Sequence, residues 1–319
     1  MRMSDDKLDF LNFPISEKRE YLKLLRKQCF EIKSKQLIIG QRIINRLYPI
    51  IRNYSIKIQG EENIPGDTNV LFVVNHSNSH DIFTAYEMFS LLDRHGSVMA
   101  ASDCLSPVIT QIFNISNATL LDRRIKKERH QSILSLSSKI LNGYDGLIFS
   151  EGTWNLHPYL PMHNIHKGAS KVSLITQVPI IPTIMEYIEK DELVTSDAQL
   201  FNKCIIRFGK PIKINLSNDL SFQSTCIKLK MGSMREKIWS DYNIRKGSRD
   251  IVDPQLYLNH TYVKKYKALG FTYNSKAEQR YLFFANSEKA VNEYTLNKQG
   301  DVAPGITEKN SEIKKMIFK

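Results

Sequence analysis

Short apolar runs and amphipathic helical segments alternate along most of the chain, and this alternation constrains the fold more than any other feature. The runs Val70–Val74 and Gly146–Ser150 have the nearly continuous apolar character of strands that are buried on both faces of a sheet. Between them, Lys126–Leu141 repeats apolar side chains at three- and four-residue steps, which is typical of an amphipathic helix. Strands and helices in alternation predict an α/β domain with a mostly parallel mixed sheet flanked by helices.

The size and composition of the chain fit this domain with an attachment on each side. The 319 residues are 42% hydrophobic, which is enough for a substantial core. We predict a helical N-terminal region at 1–53, the α/β domain at 54–243, and a C-terminal extension of unknown role at 244–319. Four scattered cysteines indicate reduced thiols and a cytoplasmic protein, and no segment approaches the roughly 18 apolar residues of a membrane-spanning helix.

Basic residues are concentrated near the start of the chain, where they interleave with apolar ones. From Glu17 to Lys57 there are eleven lysines and arginines against three glutamates, within a total net charge of +12. Such a segment favours polyanionic partners. Because it lacks the aromatic-interleaved pattern of RNA-binding domains, we expect an anionic membrane surface and no nucleic acid. Two arrangements stay open and are compatible: helices packed on the core with a solvated basic face, and an amphipathic pair lying on the membrane.

Polar side chains follow three of the predicted strands at the point where each strand ends. His76, Arg123 and Glu151 occupy these positions, after the runs VLFVV, NATLL and GLIFS. Functional sites of parallel α/β sheets form just beyond the carboxyl ends of their strands. The sequence therefore predicts one site to which these side chains contribute.

His76 and Asp81 lie five residues apart in the stretch NHSNSHD. On a straight helix the two side chains would point about 140° apart, at roughly 100° per residue. They meet only if His76 is in the loop and Asp81 is in the first helical turn, which Asn78 or Ser79 can cap. A neutral imidazole is suited to take a proton from a hydroxyl, and a carboxylate can hold the ring and stabilise the imidazolium. The alternative is a hydrogen-bonded loop histidine.

The turns beyond the other two strands offer further polar groups. Glu151, Gly152 and Thr153 present a carboxylate and main-chain amides, which suit a polyol or a phosphate. Arg123 and Arg124 can clamp a phosphate through two hydrogen bonds. Ordinary loop hydrogen bonds and salt bridges are the alternative for each of these residues.

Four short blocks, NHSNSHD, LLDR, SEGTWN and VPIIP, give the chain a family resemblance. From about Ile56 to Tyr242 it resembles the glycerol-phosphate and lysophospholipid acyltransferases, in which such blocks occur in this order and at about this separation. The resemblance implies transfer of an acyl chain from acyl-CoA or acyl-carrier protein to a glycerol-type hydroxyl, with no cofactor and no covalent acyl-enzyme. It also implies a peripheral protein on the inner, cytoplasmic face of the membrane.

The resemblance also assigns roles to residues. It implies that His76 is the general base and that Asp81 orients it. It implies that the acceptor is bound by a set of residues in the second and third blocks, and that the acyl donor is bound near the fourth. The acceptor set is Arg123, Glu151 and Gly152, to which we add Thr153 and Arg124, and the donor residue is Pro182.

The third block departs from the family, which usually has an arginine where Trp154 stands. One phosphate-binding arginine is therefore missing, although Arg124 or Lys167 could take over its contact. An acceptor without this phosphate is the alternative, such as a lysolipid with another headgroup or a sugar hydroxyl of a surface glycan.

Two further alternatives belong to other functional classes. A non-catalytic protein that binds anionic lipid would use only the basic N-terminal region. A metallohydrolase would need zinc ligands, but no H-E-x-x-H motif is present, and we predict no metal site. The histidines that suggest this class are His76, His80, His157, His163 and His166.

Overall fold

A computed structural model describes residues 13–32, 38–77, 80–102, 107–155, 160–189 and 201–244. Nearly all of the predicted C-terminal extension lies outside these ranges. The strands are β1 (Ser55–Gln59), β2 (Leu71–Val74), β3 (Gly96–Ala101), β4 (Thr119–Leu121), β5 (Asp145–Phe149), β6 (Ile180–Glu189) and β7 (Phe201–Phe208). The helices are α1 (Ile15–Glu31), α2 (Ile39–Ile51), α3 (Asp81–Leu91), α4 (Pro107–Ile115), α5 (Lys126–Leu141), α6 (Gly168–Thr176) and α7 (Leu220–Asp241).

The strands form one sheet in the order β1-β7-β6-β2-β5-β3-β4. Neighbouring strands run parallel throughout this sheet, except that β6 and β7 are antiparallel. The predicted α/β class with a mostly parallel mixed sheet is confirmed. Because β2, β5, β3 and β4 are parallel, their carboxyl ends share one edge of the sheet, and the loops that follow them meet there.

The central strand β2 shows why the sheet is covered on both faces. The side chains of Leu71–Val74 are all completely buried. Because successive side chains point to opposite faces, Phe72 and Val74 pack into a core layer with α2 and α3. Leu71 and Val73 pack into the other layer, with α5, α6 and α7. The continuous apolar run of β2 is thus explained by its position between two helical layers.

The two N-terminal helices pack in different places. Helix α1 contacts α5 and α6, whereas α2 contacts α3 and α4. Helix α1 begins at Ile15, directly after Pro14, and no side-chain hydrogen bond caps its start. Helix α2 contains Pro49 within its last turn. Over the part of the chain that is described, no helix combines the length and apolarity needed to cross a bilayer.

Candidate active site

The strand-to-helix corner after β2 brings His76 and Asp81 together. His76 lies in the loop and Asp81 is the first residue of α3, and their Nδ1 and Oδ2 atoms are 2.7 Å apart. Asp81 is completely buried, and its Oδ2 also accepts a 2.7 Å hydrogen bond from the main-chain N–H of Ser77. The corner geometry expected from the five-residue spacing is therefore present, while the catalytic roles of both residues stay a prediction.

The contact with Asp81 determines which imidazole nitrogen can act as a base. A carboxylate that accepts from Nδ1 favours the tautomer with the proton on Nδ1, so Nε2 carries the lone pair. The side chain of His76 is 23% exposed, so a substrate can reach the ring. The expected caps Asn78 and Ser79 lie outside the described residues, and His80, which directly precedes α3, makes no side-chain cap.

Two aromatic residues from the third block and its strand enclose the imidazole. The Phe149 ring stacks on it with centroids 4.5 Å apart and an interplanar angle of 21°. The Trp154 indole approaches edge-on, with centroids 6.0 Å apart and an angle of 86°. Trp154 is buried, so the position that departs from the family's arginine forms an aromatic wall beside His76.

Glu151 contacts the main chain of His76 and is only 1% exposed. Its Oε1 accepts from the main-chain N–H of His76 at 2.8 Å, and its Oε2 accepts from the main-chain N–H of His163 at 2.7 Å. Burial raises the pKa of Glu151 to about 7, against the opposing effects of the Arg235 charge and of these hydrogen bonds. The predicted acceptor contact is untested, but both carboxylate oxygens already bond to the main chain.

Gly152, Thr153 and Arg123 lie next to Glu151 at the same edge of the sheet. Gly152 has φ +67°, and a Cβ there would come within 2.8 Å of His166 Nε2, so the turn requires glycine. Arg123 Nη1 donates to the Gly152 carbonyl at 2.8 Å, which joins the ends of β4 and β5. Thr153 is buried. The structure therefore gathers these predicted residues beside His76.

Two other predicted residues are placed differently. The guanidinium of Arg124 bonds to the carboxylate of Asp122 while its side chain is 70% exposed, and this contact lowers the pKa of Asp122 to about 2. Pro182 is buried within β6, paired in register with Val73 before the end of β2. Arg124 is thus directed to its own loop, and Pro182 is part of the sheet, one register position before the end of β2.

A buried ion pair supports the site and was missed in the sequence. Arg235 of α7 donates from Nε to Glu186 Oε2 of β6 at 2.5 Å, and from Nη1 to the carbonyl of Pro161 at 3.0 Å. Both charged side chains are almost completely buried. Glu186, a charged residue within the apolar run of β6, was the sequence signal for this ion pair, because buried carboxylates are rarely unpaired. Its partner Arg235 lies 49 residues later in the chain, so the local sequence does not identify it.

Two of the histidines that suggested zinc, His76 and His80, have separate partners. His76 bonds to Asp81, whereas His80 Nδ1 lies 2.9 Å from the hydroxyl of Tyr48. His157 is outside the described ranges. Among the residues that are described, no group of three or more His, Cys, Asp or Glu side chains has a metal-binding arrangement.

The chain is similar in sequence to known acyltransferases. Residues 55–186 match the family model named Acyltransferase. Over 206 residues the chain is 25% identical to a 1-acyl-sn-glycerol-3-phosphate acyltransferase of Saccharomyces cerevisiae, which covers 63% of this chain and 62% of the relative. Over 148 residues it is 26% identical to a Chlamydomonas reinhardtii protein of the same name, which covers 45% and 43%. The chain thus spans less than two thirds of either relative.

Among solved structures, the PlsC 1-acyl-sn-glycerophosphate (LPA) acyltransferase of Thermotoga maritima is 19% identical. The superposition covers 72% of this chain and 84% of the other, with a TM-score of 0.44. That score is too low to bear on the fold or the function.

Proposed function

We propose, because residues 55–186 match the acyltransferase family model, that the chain transfers an acyl group from a thioester to a hydroxyl of a glycerol-phosphate or lysophospholipid-type acceptor. The observation that carries the proposal is the 2.7 Å contact between His76 Nδ1 and Asp81 Oδ2 at the carboxyl edge of the sheet. The names of the two curated relatives support the acceptor class.

In the proposed reaction, His76 Nε2 takes the proton of the acceptor hydroxyl as the hydroxyl oxygen attacks the thioester carbonyl. Asp81 holds Nδ1 as the protonated nitrogen and stabilises the imidazolium that forms. The tetrahedral intermediate expels the thiolate, which recovers the proton from Nε2. An ester C–O bond has then formed and a C–S bond has broken, so the reaction balances without a cofactor, a metal or an acyl-enzyme.

Arg123 is the side chain that we assign to the phosphate of the acceptor. A guanidinium carries five N–H donors, so its bond to the Gly152 carbonyl is compatible with a phosphate contact. Desolvation of the ring is the largest cause that lowers the pKa of His166, and Arg123 and Arg129 both lie close enough to lower it further. Trp154 supplies an apolar surface instead of a further cation, which suits the glycerol backbone or the start of an acyl chain.

The exposed face of α2 supports binding to an anionic membrane surface. Ile39, Ile43, Leu47 and Ile50 recur at helical spacing and are all exposed, with Ile50 reaching 78%. The basic residues Arg42 and Arg46 are also exposed on this helix. Apolar side chains flanked by arginines match the chemistry of acyl chains beneath anionic headgroups. We name this set of exposed residues the α2 surface and propose that it docks on the bilayer that holds the acceptor.

The test is an acceptor and donor panel with the purified full chain. Labelled acyl-CoA and acyl-carrier protein are each offered with 1-acylglycerol 3-phosphate, with a lysolipid of another headgroup, and with a sugar acceptor, in vesicles that contain anionic lipid. We expect product from the phosphate-bearing acceptor and from at least one donor. Transfer only to acceptors without phosphate would contradict the assignment of Arg123, and vesicle binding without consumption of any thioester would favour the non-catalytic lipid-binding protein.

A further inference from the structure

The contacts of Glu151 differ from those of a group that binds substrate. Both carboxylate oxygens accept main-chain N–H groups, from His76 at 2.8 Å and from His163 at 2.7 Å. The residue is only 1% exposed. A side chain that binds the acceptor must present a polar atom to it, whereas Glu151 directs both oxygens towards two loops of its own chain.

The segment that begins at Glu151 holds His76 at more than one point. While the carboxylate accepts from the main-chain N–H of His76, the main-chain N–H of Asn155 donates to the His76 carbonyl at 2.5 Å. Between these two residues, Trp154 lies edge-on against the imidazole. Both polar main-chain groups of His76 are therefore bonded to one five-residue segment, and the same segment supplies a wall for its ring.

The buried surroundings of Glu151 make this arrangement sensitive to any change of the carboxyl group. An ionised carboxylate can accept on both oxygens, while an amide or a protonated carboxyl group presents a donor at one of them. A donor at that position would face a main-chain N–H and break one of the two contacts. Burial favours the neutral carboxyl group and raises the pKa of Glu151 to about 7, while the nearby Arg235 charge acts in the opposite direction. Arg235 itself bonds to Pro161 in the segment that leads to His163.

We propose that Glu151 is a positioning residue, which fixes the main chain of His76 against the segment around His163 and thereby sets the imidazole relative to Asp81 and the reacting thioester. This inference rests on the proposed acyl transfer and specifies the part that Glu151 plays in it. Glu151 acts through His76 and not on the acceptor. The resemblance to known acyltransferases implied the opposite, a direct acceptor contact.

The two roles predict different kinetics for Glu151→Gln. If Glu151 positions His76, kcat falls by about 10- to 100-fold, since a displacement of the order of 1 Å can cost that much, while KM for the acceptor stays within about twofold. If it binds the acceptor, KM rises and kcat is largely retained. Glu151→Asp, which is one methylene shorter and cannot span both amides, is expected to show the same loss of kcat.

Asp145→Asn is the matched control. Asp145 is a buried carboxylate at the other end of β5, where it accepts from the main-chain N–H of Val70 at 2.8 Å and pairs with Arg94. Its replacement removes a comparable buried acceptor far from His76. We expect a lower urea midpoint and an unchanged kcat, which separates loss of stability from loss of positioning.

Nuclear magnetic resonance of histidine-labelled protein supplies a readout that does not need turnover. The His76 imidazole signals, assigned by their loss in His76→Gln, are titrated in the wild type, Glu151→Gln and Asp145→Asn. We expect a shifted titration only in Glu151→Gln. An unchanged His76 titration together with a raised acceptor KM would overturn the positioning role. Absence of transfer by the wild type would refute the proposed function instead, and the titration would still report on Glu151.

Discussion

Replacement of Asp81 by asparagine gives the sharpest test of the proposed dyad. Asp81 Oδ2 accepts from both His76 Nδ1 and the Ser77 main-chain N–H, each at 2.7 Å. An asparagine with its carbonyl oxygen at this position can keep both contacts, so the geometry and the tautomer survive. What is lost is the negative charge that stabilises the imidazolium while Nε2 holds the proton.

The size of this loss follows from the chemistry of the contact. A hydrogen bond to a charged partner is worth about 1.5–3 kcal/mol, compared with about 1 kcal/mol for a neutral one. The difference of about 0.5–2 kcal/mol predicts a fall in kcat of roughly 2- to 30-fold for Asp81→Asn. Asp81→Ala removes the orientation of the ring as well, and we expect a total fall of about 10²- to 10⁴-fold.

The assay measures free thiol released from acyl-CoA at saturating acceptor, with product identity checked by chromatography. Glu87→Gln is the matched control, because Glu87 is a buried carboxylate on the same helix that pairs with Arg52. We expect it to lower stability and to leave kcat near the wild-type value. The reasoning would be refuted if Asp81→Asn kept kcat within twofold, or if it acted only on KM for the acceptor.

Two further predictions concern the membrane and pH. Leu47→Asp on the α2 surface should reduce binding to anionic vesicles about tenfold or more in a sedimentation assay. The control is Leu24→Asp on α1, which replaces another exposed leucine and should leave vesicle binding unchanged. Equal losses of binding in the two variants would contradict docking through α2. Burial raises the pKa of Glu151 from 4.5 to about 7. Between pH 4.5 and pH 7 the folded state therefore binds a proton that the unfolded state has released. The free energy of unfolding should fall by about 2 kcal/mol from pH 5 to pH 7 because of this group. Urea titrations of Glu151→Gln should lack this contribution to the pH dependence. The same dependence of the unfolding free energy on pH in both proteins would refute the prediction.

The parts of the fold that were predicted correctly are those that local sequence determines. The apolar run Val70–Val74 indicated a strand covered on both faces, and its residues Leu71–Val74 form β2. The helix Lys126–Leu141 has the predicted bounds. The corner geometry of His76 and Asp81 followed from helical periodicity alone, since side chains five residues apart can meet only where a helix begins.

The parts that were not predicted depend on packing between distant segments. Nothing local indicates that α1 and α2 pack in different places, because both are amphipathic and basic. The direction of the Glu151 carboxylate depends on a main-chain N–H 75 residues earlier. Arg124 bonds to the aspartate two residues before it, a contact that competes with phosphate binding and that a motif does not reveal.

The central claim is that the His76 imidazole deprotonates the acceptor hydroxyl. Rapid-quench single-turnover measurements with labelled acyl-CoA and 1-acylglycerol 3-phosphate compare the wild type with His76→Ala, after both are shown to bind the acceptor equally. The account predicts ester formation by the wild type and a rate at least about 10²-fold lower in the variant. Ester formation at the same rate in both proteins would contradict it.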